Sequence, residues 1–197
     1  MSRSNHAARH LLLTGPPGCG KTTVLQQALD LLRAGGWSHF GFWTPDLRRE
    51  GARYGFEIRL ASGEASLLAS VDTLGPARVG RYGVRPEVMA DLVVPEIQRG
   101  VAAAEAGARA VIVMDEIGKM ELLSQPFREA VLQALESPAR VLATVMLRPH
   151  PFADALKARP DAFLVPVTRT NRDHLPRRVC ELIAGPDAEL SGDLSGT

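Results

Sequence analysis

Leu11-Leu12-Leu13-Thr14-Gly15-Pro16-Pro17-Gly18-Cys19-Gly20-Lys21-Thr22-Thr23 is an apolar run that breaks into a glycine-rich turn and leads into a helical pattern. The turn has the spacing G-x4-G-K-[ST] of a phosphate-binding P-loop. Glycines at 15, 18 and 20 let the backbone curl, so that successive N–H groups and the positive end of the next helix dipole point at the same phosphate oxygens. Lys21 would reach the β- and γ-phosphates, and Thr22 would offer its hydroxyl to Mg²⁺. The expected nucleotide contacts are Gly15, Pro16, Pro17, Gly18, Cys19, Gly20, Lys21, Thr22 and Thr23. With glycine near ~7% of residues, the motif arises by accident in roughly one chain per hundred of this length. The strand pattern before it and the helical pattern after it lower that further.

Downstream, Val24, Leu25, Ala28, Leu31 and Leu32 predict a helix over 22–34, stopped by Gly35-Gly36. Residues 37–44 read as a second strand closed by Pro45. Ligands of open α/β sheets sit outside the carboxyl ends of the strands, which puts Thr44, Asp46 and Arg48 near the loop. The period then changes. Alternation over 54–60, a turn at Ser62-Gly63-Glu64 and a return over 65–71 predict a small antiparallel hairpin insertion within about 48–85, with a further extended piece at 78–84. Its Arg48, Arg49, Arg53 and Arg59 read as solvated edge charges, with contact to substrate phosphate or a partner as the sharper alternative. Pro86 opens a helix to about 107, in which Pro95 is expected to make a kink.

Val111-Ile112-Val113-Met114-Asp115-Glu116 is an unbroken apolar run ending in two carboxylates, the Walker B pattern of a buried parallel strand. Asp115 is expected in the Mg²⁺ shell, and Glu116 is placed to polarise the water that attacks a γ-phosphate. Lys119 touches phosphate or pairs with Glu121, with a plain surface charge as the other reading. Further on, Ser124 caps a helix over 125–136, buried strands follow at 140–146 and 163–167 around a short helix at 152–158, and a last helix spans 171–183. The segment 168–173 leaves the last strand at the binding edge, so Arg169 or Arg172 could act on transition-state charge; Arg172 is taken as the catalytic candidate, with Lys21 and Glu116.

The chain has 197 residues, 45% of them hydrophobic, which suits one α/β domain over 1–184 with a flexible tail over 185–197. A net charge of +1 leaves no footprint for DNA. Two cysteines, one inside the loop, make no disulfide framework and point to a reducing cytoplasm. No signal peptide or membrane span is predicted. The five histidines show no zinc-ligand spacing. Twenty arginines stand against three lysines, and two of those, Lys21 and Lys119, fall in the motifs. Cys19, beside the phosphates at a helix amino terminus, is expected to make the protein sensitive to mild oxidation.

GPPGCGKTT at 15–23, GFWTPDLR at 41–48, VGRYGV at 79–84, VMDEIGKMELLS at 113–124 and TRTNRDHLP at 168–176 together resemble the cancer-related nucleoside-triphosphatase family, first named from a thermophile enzyme. The resemblance covers nearly the whole chain, and DEIGKMEL is its most specific string. It implies a three-layer P-loop fold with a RecA-like, mostly parallel sheet carrying an additional strand between the P-loop and Walker B strands. It also implies an Mg²⁺-dependent NTPase of broad base tolerance, with nucleotide and metal roles on residues 15–23 and Asp115 and with Glu116 as catalytic carboxylate. The family often has glutamate where this chain has Asp46.

The expected function is hydrolysis of ATP, GTP and other NTPs by a cytoplasmic monomer. The alternatives are a P-loop kinase for a small molecule or nucleotide, and a nucleotide-gated module that engages RNA or protein.

Overall fold

His10–Thr14 (β1) is buried at every position, and its side chains alternate between two cores, as the period of two in a strand requires. Leu12 joins the core under one face of the sheet, while Leu11 and Leu13 join the other. The fold comes from a computed structural model that describes residues 9–185. The expectation for the carboxyl-terminal tail falls, apart from Gly185, outside the described residues.

After β1 come α1 (Lys21–Ala34), β2 (Ser38–Trp43), β3 (Asp46–Arg49), β4 (Ala52–Leu60), β5 (Ala65–Ser70), β6 (Arg78–Val79) and β7 (Tyr82–Val84). Then follow α2 (Pro86–Val88), a π-helical turn at Met89–Val93, α3 (Val94–Glu105), β8 (Ala110–Ile117), a 3-10 turn at Glu121–Leu123 and α4 (Gln125–Glu136). β9 (Arg140–Val145), α5 (Pro151–Lys157), β10 (Ala162–Pro166) and α6 (Leu175–Ala184) complete the described chain. Pro95 sits in the first turn of α3, where its missing N–H needs no partner, and the π turn just before it takes up the irregularity expected as a kink. Ser124 caps α4 as its sequence predicts, its hydroxyl accepting from the Phe127 N–H at 3.4 Å.

One 10-stranded sheet runs in the order β10-β1-β9-β8-β2-β4-β5-β7-β6, with β3 paired on β4. From β10 to β2 neighbouring strands are parallel, and β9 lies between β1, which leads into the phosphate loop, and β8, which ends in Asp115 and Glu116. This is the inserted strand of a RecA-like sheet. α1 and α6 cover one face and α3, α4 and α5 the other, giving three layers. On the second face Phe42 and Phe127, both fully buried, meet edge to face with centroids 5.6 Å apart.

Two expectations change. The insertion is larger than a hairpin: β3 to β7 form an antiparallel wing that continues the main sheet through β2 and β4, with Phe42 opposite Leu60. The strand at 163–167 is an edge, and its adjacent residues Phe163 and Leu164, which point to opposite faces, are 46% and 41% exposed, so neither face of its apolar run is fully covered. Close packing also explains Gly41, whose φ is +107° in β2; a Cβ there would stand 1.9 Å from the Val113 carbonyl oxygen of β8. Among the described residues no helix is long and apolar enough to cross a membrane.

Candidate active site

β1 delivers the chain into the loop at 15–20, and the Val167 N–H donates to the Thr14 carbonyl at 2.7 Å, tying the exit of β10 to the loop's start. Pro16, Pro17 and Gly18 are exposed, while Gly20 stands at the amino end of α1 in the left-handed region, φ 109°. Gly20 brings no side-chain cap, so the first-turn N–H groups of α1 are left for a ligand's oxygens. Lys21 folds over this turn, its Nζ donating to the carbonyls of Gly15 at 3.1 Å and Pro16 at 3.3 Å.

β8 brings the acidic pair to the same place. Its register with β9 shifts between Met114 and Ile117, so Asp115 and Glu116 leave the regular ladder where it opens towards the loop. Asp115 is 6% exposed; the Thr144 hydroxyl donates to its Oδ1 at 2.6 Å, and Thr22 lines the same cleft. Burial pushes the Asp115 carboxyl above the usual carboxylate range, with Thr144, Thr22 and Lys21 pulling the other way. Glu116 is half-buried and is raised by burial too, against the pull of Lys21.

These groups line a cleft of about 840 Å³. Gly18, Lys21, Thr22, Asp115 and Glu116 all belong to its lining. Its lining also takes in Lys119, Met120 and Glu121 after β8 and Thr44, Asp46, Arg53, Phe56, Arg59 and Val79 of the wing and its connections. Arg53 lies over the Phe56 ring at 5.3 Å and pairs with Asp46 at 2.8 Å; Arg59 pairs with Glu57 at 2.7 Å. The wing's arginines are thus mostly paired with wing carboxylates, and two of them still face the cleft. Thr44 and Asp46 stand where the strand-end rule puts them, whereas Arg48 is outside the lining and pairs with Asp46 at 3.3 Å. No ion pair joins Lys119 to Glu121 among the described residues.

Arg172 lies elsewhere on the loop. Its Cδ is 3.0 Å from where a Cβ on Gly20 would stand, and it pairs with Asp173 at 3.5 Å, outside the lining that holds Glu116. The 168–172 turn that carries it is fixed by Asn171, which accepts from the Thr168 N–H at 2.8 Å and donates to the Pro166 carbonyl at 2.9 Å. Cys19 is 5% exposed, with Sγ turned in towards Gly15 and packed in the α1 core. The oxidation expected of it lacks the accessible thiol that such chemistry needs. Thr144 was not marked by its sequence; the signal was a single hydroxyl in an otherwise apolar strand, Val141-Leu142-Ala143-Thr144-Val145.

A phosphate loop leaving one strand, an acidic pair ending another and a third strand between them define a P-loop nucleotide-binding protein of the RecA-like kind. A family profile described as NTPase matches residues 10–180. "Nucleoside-triphosphatase THEP1" of Natranaerobius thermophilus is 40% identical over 88% of this chain and 96% of its own. The human "Cancer-related nucleoside-triphosphatase" is 38% identical over 85% of this chain and 93% of its own. The crystal structure of THEP1 from Aquifex aeolicus superposes with a TM-score of 0.80 at 34% identity, covering 89% of this chain and 99% of that one. The chain belongs to this NTPase family.

Proposed function

We propose that the chain hydrolyses nucleoside triphosphates, releasing the γ-phosphate of ATP, GTP and other NTPs with Mg²⁺ as the working cation. The observation that carries this reading is Glu116, a half-buried carboxylate one residue past Asp115 that lines the same cleft as Lys21. The relatives' printed names point to the same chemistry.

In this reading the amides of the 15–20 loop and the first turn of α1 hold the β- and γ-phosphates, and Lys21 exchanges its two loop carbonyls for phosphate oxygens. Glu116 accepts a hydrogen bond from a water and takes its proton as the water oxygen bonds to the γ-phosphorus and the bond to the diphosphate breaks. Its raised proton affinity suits a base. The donors fit the cation: Thr22 and Asp115 are hard oxygen groups that line one cleft and would hold Mg²⁺, which takes few protein ligands. When bound, that ion neutralises charge developing on the β- and γ-oxygens. Thr144 orients Asp115, and Arg172, packed beside Gly20 of the loop, contacts the nucleotide. Two free, buried cysteines accord with a cytoplasmic enzyme.

A small-molecule kinase is the second reading. It is favoured by the apolar Phe56, Val79 and Met120 in the lining of the same cleft, and by Thr44 Oγ1 and Trp43 Nε1, which belong to its lining residues and are buried without a partner among the described residues. Incubation with Mg²⁺ and NTP alone separates the two. Phosphate release without an acceptor supports hydrolysis, and turnover that needs an added alcohol or nucleotide supports the kinase.

A further inference from the structure

Glu121 has no part in the chemistry above, yet it is 5% exposed and lines the cleft beside Glu116. A buried carboxylate normally has a cation partner. Among the described residues no Lys, Arg or His lies within ion-pair distance of Glu121, and what favours its ionised form is confined to two backbone N–H groups, its own and that of Gly118. Gly118 is what admits it. A Cβ there would stand 3.0 Å from Glu121 Oε2 and 3.6 Å from Glu116 Cδ, so the two carboxyls close on the same point and any side chain would part them. Glu116 for its part has no hydrogen-bond donor among the described residues, although its orientation decides whether a water is aimed at phosphorus.

Charge explains why the second acid need not ionise. The charged groups that line the cleft with it are Asp115 and Glu116 from β8, Lys21 from α1, Lys119 from the preceding connection, and Asp46, Arg53 and Arg59 from the wing, while Arg128 of α4 donates to the carbonyl of the next residue, Leu122. Arg53 is engaged by Asp46 and Arg59 by Glu57. Another anion next to Asp115 and Glu116 would oppose an arriving triphosphate, whereas a neutral acid can donate. Burial and the two neighbouring carboxylates push the Glu121 carboxyl up to about 8, against its two backbone donors.

We propose that Glu121 is a positioning residue that works as a neutral acid: its hydroxyl donates, through a shared water, to the Glu116 carboxylate and keeps it turned to the attacking water. This rests on the hydrolase reading. The water has the polar partners it requires in the two carboxyls.

The test compares wild type, Glu121→Gln and Glu121→Ala, with Mg²⁺ and ATP, across pH 6–10. Wild-type kcat should fall above about pH 8, as ionisation removes the donor. Glu121→Gln, which keeps a neutral donor, should hold wild-type kcat at pH 7 and lose the alkaline fall. Glu121→Ala should lower kcat about tenfold with KM unchanged, as loss of a supporting partner does. Wild-type kcat in the alanine variant, or the same alkaline fall in the glutamine variant, would overturn the assignment. A second measurement needs no turnover: ¹³C carboxyl NMR of the glutamate-labelled protein should show a carboxyl titrating near pH 8 that is missing from Glu121→Gln, with the Glu116 resonance displaced in Glu121→Ala. If wild type releases no phosphate, the hydrolase reading fails by itself. An unmoved Glu116 resonance then removes the link between the two carboxyls as well.

Discussion

Glu116 and Lys21 separate binding from chemistry. Glu116→Gln should keep nucleotide affinity and lose roughly 10² or more in kcat, the usual worth of a placed base; isothermal titration beside phosphate release reads both, and undiminished turnover removes the residue from its role. Lys21→Ala should weaken triphosphate binding and rate together. Thr144→Val keeps the shape of its side chain but takes the 2.6 Å donor from a buried carboxyl, which should cost about 1–3 kcal/mol in urea unfolding and reduce turnover. Stability and rate both unchanged would show that Asp115 does not depend on it.

At the scale of elements, the sheet is held to close tolerance where β2 meets β8. Gly41→Ala would drive a methyl into a backbone carbonyl that side-chain motion cannot relieve, at a φ that alanine avoids. A loss on the order of 4 kcal/mol, or failure to fold, is expected in urea unfolding; wild-type stability would mean that β2 and β8 can separate. The parallel half of the fold was legible because buried strands and amphipathic helices carry strong periods, and because the phosphate loop and the Asp115-Glu116 strand end name their own places. The wing was less legible: strands as short as Arg78–Val79 and the β2–β4 pairing depend on contacts distant in sequence, and local alternation does not show which strand comes alongside. β10 misled for a related reason, since an apolar run does not say whether both faces are covered. Thr144 and Glu121 gain their meaning only when β9 and the 3-10 turn are set beside β8.

For the molecule as a whole, buried titratable groups give stability a pH dependence of two signs. His10, fully buried with Nδ1 accepting from the Val141 N–H, is lowered by burial from 6.5 to about 4. The unfolded chain binds its proton more readily, so stability is lost as pH falls from 6.5 towards 4. Glu121 acts oppositely. Raised from 4.5 to about 8, it holds a proton that the unfolded chain has released, so stability declines as pH rises across that window, and the raised Asp115 and Glu116 carboxyls add to the decline. Above pH 6.5 only the carboxylate slope is left: urea midpoints should fall between pH 6.5 and 8.5, and Glu121→Gln should flatten most of that fall. A flat wild-type profile would mean that Glu121 is ionised in the folded protein.

The cleft holds both the means to activate water and room for a second molecule, so the origin of the oxygen added to phosphorus is decisive. Turnover of ATP with Mg²⁺ in ¹⁸O-labelled water, with the products weighed by mass spectrometry, reads it directly. Attack by a water that Glu116 has oriented should place a single solvent oxygen in the released phosphate and none in the ADP. Label in the ADP, or γ-phosphate that leaves only on an added acceptor with no solvent oxygen, would contradict a hydrolytic site built on Lys21, Asp115 and Glu116.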